Sequence, residues 1–305
     1  MSLPDLSSLG IHVLERGWLS SNCVLLLGQE HTALIDSGYH THAAQTVAWV
    51  CRLLKQHPLQ CLINTHLHSD HCGGNAALQK AFPTMSTAVP HTSETAVQVW
   101  DTHRLTFAET GQDCPPFHLD RTLRDLQVLT LSDLPWRVHL AKGHDPDAIL
   151  LFQPDHRILI SADALWESGF GVVFPELTNS SGFDDVSNTL DLIQSLDPLI
   201  VIPGHGPVFT NVQDALKRAR ERLRYFQLNP DKHVRHALKV LIKFKLLEWQ
   251  SVSKTDLMRW CCSTPHMNRH MPTDAKQATL WLNDLIDDLE RSKALRLDVD
   301  WIHDH

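Results

Sequence analysis

The sequence predicts a mixed α/β fold that carries a mainly helical C-terminal unit. Through the first two thirds of the chain, short apolar runs alternate with stretches of helical spacing. Four of those runs lead straight into a loop bearing histidine or aspartate. Beyond residue 210 the apolar positions recur at helical spacing almost without a break.

Residues 11–14, 22–28 and 32–36 read as antiparallel strands, apolar runs cut by Gly, Gln and Glu. The second and third sit close enough for a hairpin. The third ends in Asp36-Ser37-Gly38, a carboxylate and a glycine just past a buried strand. Residues 41–57 place Ala44, Val47, Ala48, Cys51 and Leu54 on one helical face and stop before Pro58. Residues 59–64 form the next strand, and residues 75–81 suit a short helix. Further on, residues 85–89 read as a strand, 91–109 as a helix, 111–116 as a break and 126–131 as another strand. This middle stretch lies between the histidine-bearing loops, where an insertion would shape a substrate pocket. Trp100, Phe107 and Phe117 read as core aromatics ahead of pocket lining.

The densest stretch is Thr65-His66-Leu67-His68-Ser69-Asp70-His71-Cys72-Gly73-Gly74. No packing need explains three imidazoles and a carboxylate within six residues. Metal binding does, because these are the N and O donors that Zn²⁺ and similar ions take at about 2.0–2.2 Å. Three later strands end in matching fashion: residues 136–140 lead to Gly143-His144-Asp145, residues 157–162 to Asp163, and residues 199–203 to Gly204-His205-Gly206. Glycine at a strand end lets a side chain project while the backbone turns tightly. His139 lies on the preceding strand and reads as a core or face histidine.

The set His66-x-His68-x-Asp70-His71, His144, Asp163 and His205, with Asp36 upstream, resembles the metallo-β-lactamase fold hydrolases over about residues 10–210. The resemblance implies a four-layer αββα sandwich with the site at one edge of two sheets. It implies His66, His68 and His144 as ligands of one metal, Asp70, His71 and His205 as ligands of a second, and Asp163 as the bridge. Asp36 is expected to orient a histidine ligand or hold the loop. The donor set fits two Zn²⁺ ions and would also accept Fe or Mn²⁺. Two such ions, about 3.5–4 Å apart, bring a bridging water toward ionisation at neutral pH and polarise a carbonyl or phosphoryl oxygen. The implied reaction is attack of a bridging hydroxide on an acyl carbonyl; no side chain is an obvious proton donor to the leaving group, and Asp70 or a metal-bound water is the candidate.

For the substrate, the C-terminal basic and asparagine residues associated with glutathione-thioester hydrolases are not evident. Asp70 and His71 stand where enzymes specialised for β-lactams use a cysteine in the second site. Residues 166–174 (Trp-Glu-Ser-Gly-Phe-Gly-Val-Val-Phe) are expected to wall the metals, with Trp166, Phe170 and Phe174 as substrate contacts. An apolar wall suits a small ester, thioester or lactone. Two alternatives stand beside this reading: a metal-dependent nuclease or phosphodiesterase that uses the C-terminal unit, and a metal-bearing regulatory or binding module with weak turnover.

The expected division is a catalytic unit over residues 1–210 and a helical unit over 211–305. Residues 211–228 form a charged helix whose Lys217, Arg218, Arg220, Arg222 and Arg224 read as a solvated face, with Leu216, Ala219, Leu223 and Phe226 as the apolar stripe. Helices follow over residues 233–249, 253–262 and 273–292, with Ser253 or Thr255 capping the second of these and Thr273-Asp274 the third. A loop containing Pro265 and Pro272 separates those two, and residues 294–299 read as a short strand. The pattern resembles the winged-helix domain appended to some members of the same family. Packing beside the active site or a homodimer contact is expected of it. Nucleic-acid binding is not favoured, because Asp284, Asp287, Asp288 and Glu290 would repel phosphates and no aromatic ladder is evident.

Composition sets the remaining bounds. Apolar residues make up 43% of the 305, enough for a sizeable core. No stretch reaches the roughly 18 apolar residues of a spanning helix, and the first ten residues have neither a basic start nor an apolar run. A soluble cytoplasmic protein with no membrane partner is expected. The seven cysteines are odd in number and form no C-x-x-C pair, which argues against a disulfide framework and a thiolate zinc site. The net charge of −8 is uneven: residues 211–305 hold 17 basic and 13 acidic side chains, so the acidity lies in the body.

Overall fold

The computed structural model describes residues 5–178 and 180–305, so the first four residues of the expected unit 1–210 lie outside the description, as does residue 179. Six strands form the first sheet in sequence order: β1 (Ile11–Leu14), β2 (Cys23–Leu27), β3 (Thr32–Ile35), β4 (Cys61–Ile63), β5 (Ser86–Pro90) and β6 (Arg121–Leu123). The first three pair antiparallel, and β3 to β6 run parallel. The second sheet contains β7 (Val128–Leu131), β8 (Leu134–Leu140), β9 (Ile149–Gln153), β10 (Ile158–Ala162) and β11 (Ile200–Pro203), in the order β11-β10-β9-β8-β7. Only its β10–β11 pair is parallel.

The central strands are buried on both faces, which is why they read as unbroken apolar runs. Val24, Leu26, Ile35 and Ile63 of the first sheet meet Trp136, Val138, Leu151, Ile160 and Ile202 of the second. The opposite face of the first sheet, with Leu25, Leu34 and Leu62, is covered by α1 (Ala43–Leu54) and by α3 (Asn75–Ala81), which follows the short α2 (Ser69–Cys72). After α4 (Glu94–Gln98) and α5 (Phe107–Thr110), the outer face of the second sheet is covered by α6 (Phe183–Leu196) and α7 (Val212–Leu228), packed on Leu150, Phe152, Leu159 and Val201. Helix, sheet, sheet, helix: the four-layer αββα arrangement is present.

The C-terminal unit has its own core. α8 (Pro230–Trp249), α9 (Lys254–Ser263), α10 (Pro265–His270) and α11 (Ala275–Arg291) pack with a small sheet of β12 (Ser251–Ser253), β13 (Leu295–Leu297) and β14 (Trp301–Asp304), in the order β12-β14-β13. Ser253 caps α9 by accepting the Asp256 N–H at 3.0 Å, and Asp274 caps α11 by accepting the Gln277 N–H at 2.9 Å. Arg235 of α8 reaches Asp284 and Asp288 of α11 at 2.6 and 2.7 Å. Two of the carboxylates expected to repel phosphates are therefore internal partners.

Four expectations need correction. α7 belongs to the sandwich: its Leu216, Ala219, Leu223 and Phe226 lie in the core under the second sheet, so the division expected at residue 210 falls inside a packed layer, and the separate core starts after it. Pro230 ends α7, because the residue before a proline disfavours helix, and opens α8, because the first helical position needs no N–H. Residues 91–109 are not one helix. Trp100 and Thr106 take left-handed φ of 51° and 65°, and Trp100 packs edge-on to Phe117 at 5.3 Å in a small core with Phe107, Leu105 and Val89. Pro265 starts a helix instead of marking a loop, and the single terminal strand is one of three. Strands this short carry too few residues for a period to show.

Candidate metal centre and the cavity above it

Loops at the C-terminal ends of β4, β8, β10 and β11 carry the donor side chains, and backbone hydrogen bonds tie these loops together. The Ile149 N–H reaches the Thr65 carbonyl at 2.8 Å, linking the two sheets. The Ser21 N–H reaches the Asp70 carbonyl at 3.0 Å, and the Gly204 N–H reaches the Ala162 carbonyl at 2.7 Å. Asn64 holds the far end of the loop, its side-chain amide donating to the His71 carbonyl at 3.1 Å. Two glycines are required by close approach. A Cβ at Gly73 would stand 2.6 Å from the His40 nitrogen, and one at Gly204 would overlap the Asp163 carboxylate.

His66, His68 and His144 converge. His68 Nδ1 lies 3.1 Å from His66 Nε2 and 2.8 Å from His144 Nε2. His144 Nδ1 sits 2.5 Å from the Val172 carbonyl; as the donor there, it leaves the Nε2 lone pair facing the other two rings. Burial lowers the pKa of all three, most strongly for His66 and His68. They are neutral imidazoles, the form that binds a metal. Beside them, Asp70 Oδ2 is 3.0 Å from His205 Nε2 and 3.8 Å from His71 Nε2. Asp163 spans the two groups, with Oδ1 3.4 Å from His71 Nε2 and Oδ2 3.4 Å from His144 Nε2.

Asp36 stands behind this group. Its Oδ1 accepts the Thr65 N–H at 2.9 Å, and its Oδ2 accepts from Thr65 Oγ1 at 2.7 Å and from His71 Nδ1 at 2.8 Å. His71 is thus aimed with Nε2 toward Asp70 and Asp163. Burial opposes a charge on His71, but Asp36, Asp163 and Asp70 outweigh it and hold its pKa well above the usual value. Burial also works against ionised Asp70 and Asp163; neighbouring His71 and His205 outweigh it and keep both below the ordinary carboxylate range.

The arrangement fits divalent metal. His68 Nδ1 stands about 3 Å from both other ring nitrogens, and three buried imidazole nitrogens gathered this closely form a site that a cation between them would satisfy. His71 Nε2 is buried without a hydrogen-bond partner although it faces two carboxylates. The seven donors are all nitrogen or oxygen, and every one is buried.

A cavity of about 400 Å³ opens over this cluster. Its walls include Trp18, Trp166, Phe174, Leu241, Phe244 and Leu247, besides five of the seven donor residues. Trp18 stacks on the His205 ring at 5.1 Å and meets Trp166 edge-on at 5.2 Å, yet it remains 54% exposed at the mouth. Phe174 presents its edge to His68 at 4.9 Å. Of the three expected substrate contacts, Trp166 and Phe174 line the cavity and Phe170 does not. Phe170 is 1% exposed, packed in the core beneath α7.

Several cavity residues escaped sequence reasoning. Trp18, a lone tryptophan in a polar loop after Gly17, was the one legible signal. Val240, Leu241, Phe244 and Leu247 lie on α8, where helical spacing looks the same for a cavity wall as for a core face. Asp145, next to His144, has no role that the sequence pattern shows. It is buried, its Oδ2 is 3.4 Å from His68 Nε2, and burial followed by the Asp147 charge raises its pKa to about 7.

The family model of the metallo-beta-lactamase superfamily matches residues 16–205. A hydroxyacylglutathione hydrolase of Brucella anthropi is 25% identical over 162 residues, 53% of this chain and 50% of that protein, so the chain spans about half the length of that curated relative. Among solved structures, a metallo-beta-lactamase family protein of Thermus thermophilus is 18% identical with a TM-score of 0.55, over 97% of this chain and 99% of that one. The likeness therefore extends through the C-terminal helices. TTHA1623, solved in a di-iron-bound form, is 22% identical with a TM-score of 0.51, over 68% of this chain and 98% of that one. At these identities the structural likenesses speak for the fold.

Proposed function

The chain belongs to the metallo-beta-lactamase superfamily, and on that premise we propose that it is a dinuclear metallohydrolase of a small acyl substrate: an ester, a thioester or a lactone. The observation that supports this most is the position of a complete, buried N/O donor set at the floor of a cavity walled by aromatic and aliphatic side chains. In this reading His66, His68 and His144 hold one divalent ion, Asp70, His71 and His205 hold the other, and Asp163 reaches both. Zn²⁺ suits the donors best, with Fe or Mn²⁺ as alternatives. When bound, the ions supply a nucleophile from water at neutral pH and polarise the electrophilic oxygen.

The chain's own side chains do the rest. Asp36 and the Val172 carbonyl fix the tautomers of His71 and His144, so the donor nitrogens point inward without reorganisation. Trp18, Trp166 and Phe174 shield the floor from water and receive the acyl body. Asp70, held ionised by His71 and His205, takes up a proton at its carboxylate and returns it to the departing oxygen or sulfur. α8 closes the cavity, which gives the C-terminal unit a part in substrate selection.

A phosphodiester is a poorer match for these walls. Arg218 and Arg220, which a nuclease would present, are engaged by the Glu167 carbonyl and by Asp191. We also place the protein in the cytoplasm. All seven cysteines are unpaired, and no helix among the described residues is long and apolar enough to cross a membrane. The test is a panel of p-nitrophenyl esters, thioesters and lactones with bis-p-nitrophenyl phosphate as the contrast. Acyl compounds should be turned over in a chelator-sensitive way. A preference for the phosphodiester would overturn the substrate class.

A further inference from the structure

Arg222 lies in the middle of α7, within the arginine-rich stretch read from sequence as a solvated face. Lys217, Arg218 and Arg224 do face solvent. Arg222 turns inward and lines the same cavity as His68, Asp70, His144, Asp163 and His205. Its guanidinium stands over the Phe170 and Phe226 rings at 5.3 and 5.4 Å, and Nη2 donates to His236 Nε2 at 2.8 Å. His236 is neutral: burial first, then the Arg222 charge, lowers its pKa to about 3. Among the described residues, no carboxylate lies within ion-pair distance of Arg222. Lys243, the other cation at the cavity, already has Asp304 at 2.5 Å and the Ala294 carbonyl at 2.7 Å.

A largely buried cation held only by two rings and a neutral imidazole is electrostatically incomplete. The missing anion has a place to come from, because the guanidinium faces a cavity that opens on the reaction centre. The two are close along one short loop. Trp166 donates from Nε1 to Asp163 Oδ1 at 3.3 Å, and its backbone pairs with Gly169. Gly169 in turn packs on Arg222, so closely that a Cβ there would stand 3.0 Å from Nη1. Guanidinium is also the side chain whose flat fork matches a carboxylate with two parallel hydrogen bonds.

We propose that Arg222 is a specificity-determining residue that pairs with a carboxylate on the substrate, so that the acyl compound this enzyme takes is apolar in its body and carries one negative charge. The proposal rests on the hydrolase reading above and narrows its substrate class. The electrophilic carbonyl sits at the histidine floor, the hydrocarbon lies against Phe174 and α8, and the carboxylate meets Arg222.

The test measures binding, independently of turnover. 4-Phenylbutyrate and its neutral amide, 4-phenylbutyramide, are titrated calorimetrically into the purified full chain as wild type, Arg222→Met, Arg222→Gln and Arg222→Lys. The wild type is expected to bind the carboxylate at least tenfold more tightly than the amide. Both uncharged variants should lose that preference, and the lysine variant should keep part of it. Arg222→Met should melt at or above the wild-type temperature, because an unpaired cation gives way to an apolar side chain. Equal affinity of wild type for the two compounds, or an undiminished preference in the uncharged variants, overturns the proposal. A lost preference accompanied by a lower melting temperature would mark Arg222 as a strut for Phe170 and Phe226 and would also count against it. Chelator-sensitive hydrolysis by the wild type is followed in parallel with p-nitrophenyl hexanoate and with mono-p-nitrophenyl adipate, an ester that carries the carboxylate, and the two together decide whether hydrolysis is absent. Its absence would sink the hydrolase reading, while the titration still decides the role of Arg222.

Discussion

The donor cluster and the cavity above it are built in opposite ways. Every donor is buried and lies on a loop or short helix that follows a strand, and three are fixed by neighbours: His71 by Asp36, His144 by the Val172 carbonyl, Asp163 by the surrounding histidines. The cavity wall is gathered from distant segments, chiefly the loop with Trp18, the stretch carrying Trp166 and Phe174, Arg222 of α7, and one face of α8 in the C-terminal unit. Trp18, Phe174, Phe244 and Leu247 are at least partly exposed, and the aliphatic and phenyl side chains are held by packing. On the proposed function, reaction class resides in the first region and substrate choice in the second, so damage to each should read out differently.

The largest effect should follow Asp163→Ala, which removes the one carboxylate that reaches both donor groups. Turnover should fall to background and bound metal should drop, measured by ester hydrolysis and elemental analysis. Near-normal activity in that variant would break the division between the regions. Asp36→Ala leaves the donors in place but frees the His71 ring, and a loss of about 10–100-fold in metal affinity or activity is expected. Asp36→Asn should recover part of it.

Phe244→Ala sharpens the comparison from the other side. The ring is half-buried on the cavity wall, and removing it should lower kcat/KM for a hexanoyl ester about tenfold. An acetyl ester should be affected much less, and equal losses for the two would place Phe244 outside the acyl path. The mildest effect concerns stability below neutral pH. His233 is 1% exposed, lies against Phe183 and Phe226, and accepts the Val173 N–H at 3.2 Å. Burial, then the Arg222 charge, lowers its pKa to about 4, with neutral His236 as the other titratable neighbour. The unfolded chain binds that proton more readily, so stability is lost as pH falls from about 6.5 to about 4, by roughly 3 kcal/mol at most. His233→Gln should flatten this part of the unfolding curve, and an unchanged slope would contradict the assignment.

The same contrast explains what could be read from the chain alone. His66, His68, Asp70 and His71 announce themselves because no fold needs four donors in six residues, and Gly143-His144, Asp163 and Gly204-His205 each follow an apolar run. The central strands were legible as unbroken apolar runs, but the four-layer sandwich followed only from the family resemblance that the donor spacing carries. The wall was not legible. Leu241, Phe244 and Leu247 have the spacing of an ordinary core face, and Phe170 and Phe174 look alike in sequence although one is core and the other lines the cavity. Arg222 sits among four other basic residues, and only the turn of α7 against the second sheet distinguishes it. The division of units failed at α7 because its stripe is as apolar as that of a helix in a separate core.

The most direct measurement is a metal titration. The full chain, stripped with chelator and checked by elemental analysis, is given back Zn²⁺, Fe²⁺ or Mn²⁺ stepwise while p-nitrophenyl hexanoate turnover is followed. Two ions per chain should bind, and hydrolysis should be absent without them and return as they are loaded. Full turnover by the stripped protein would contradict the account.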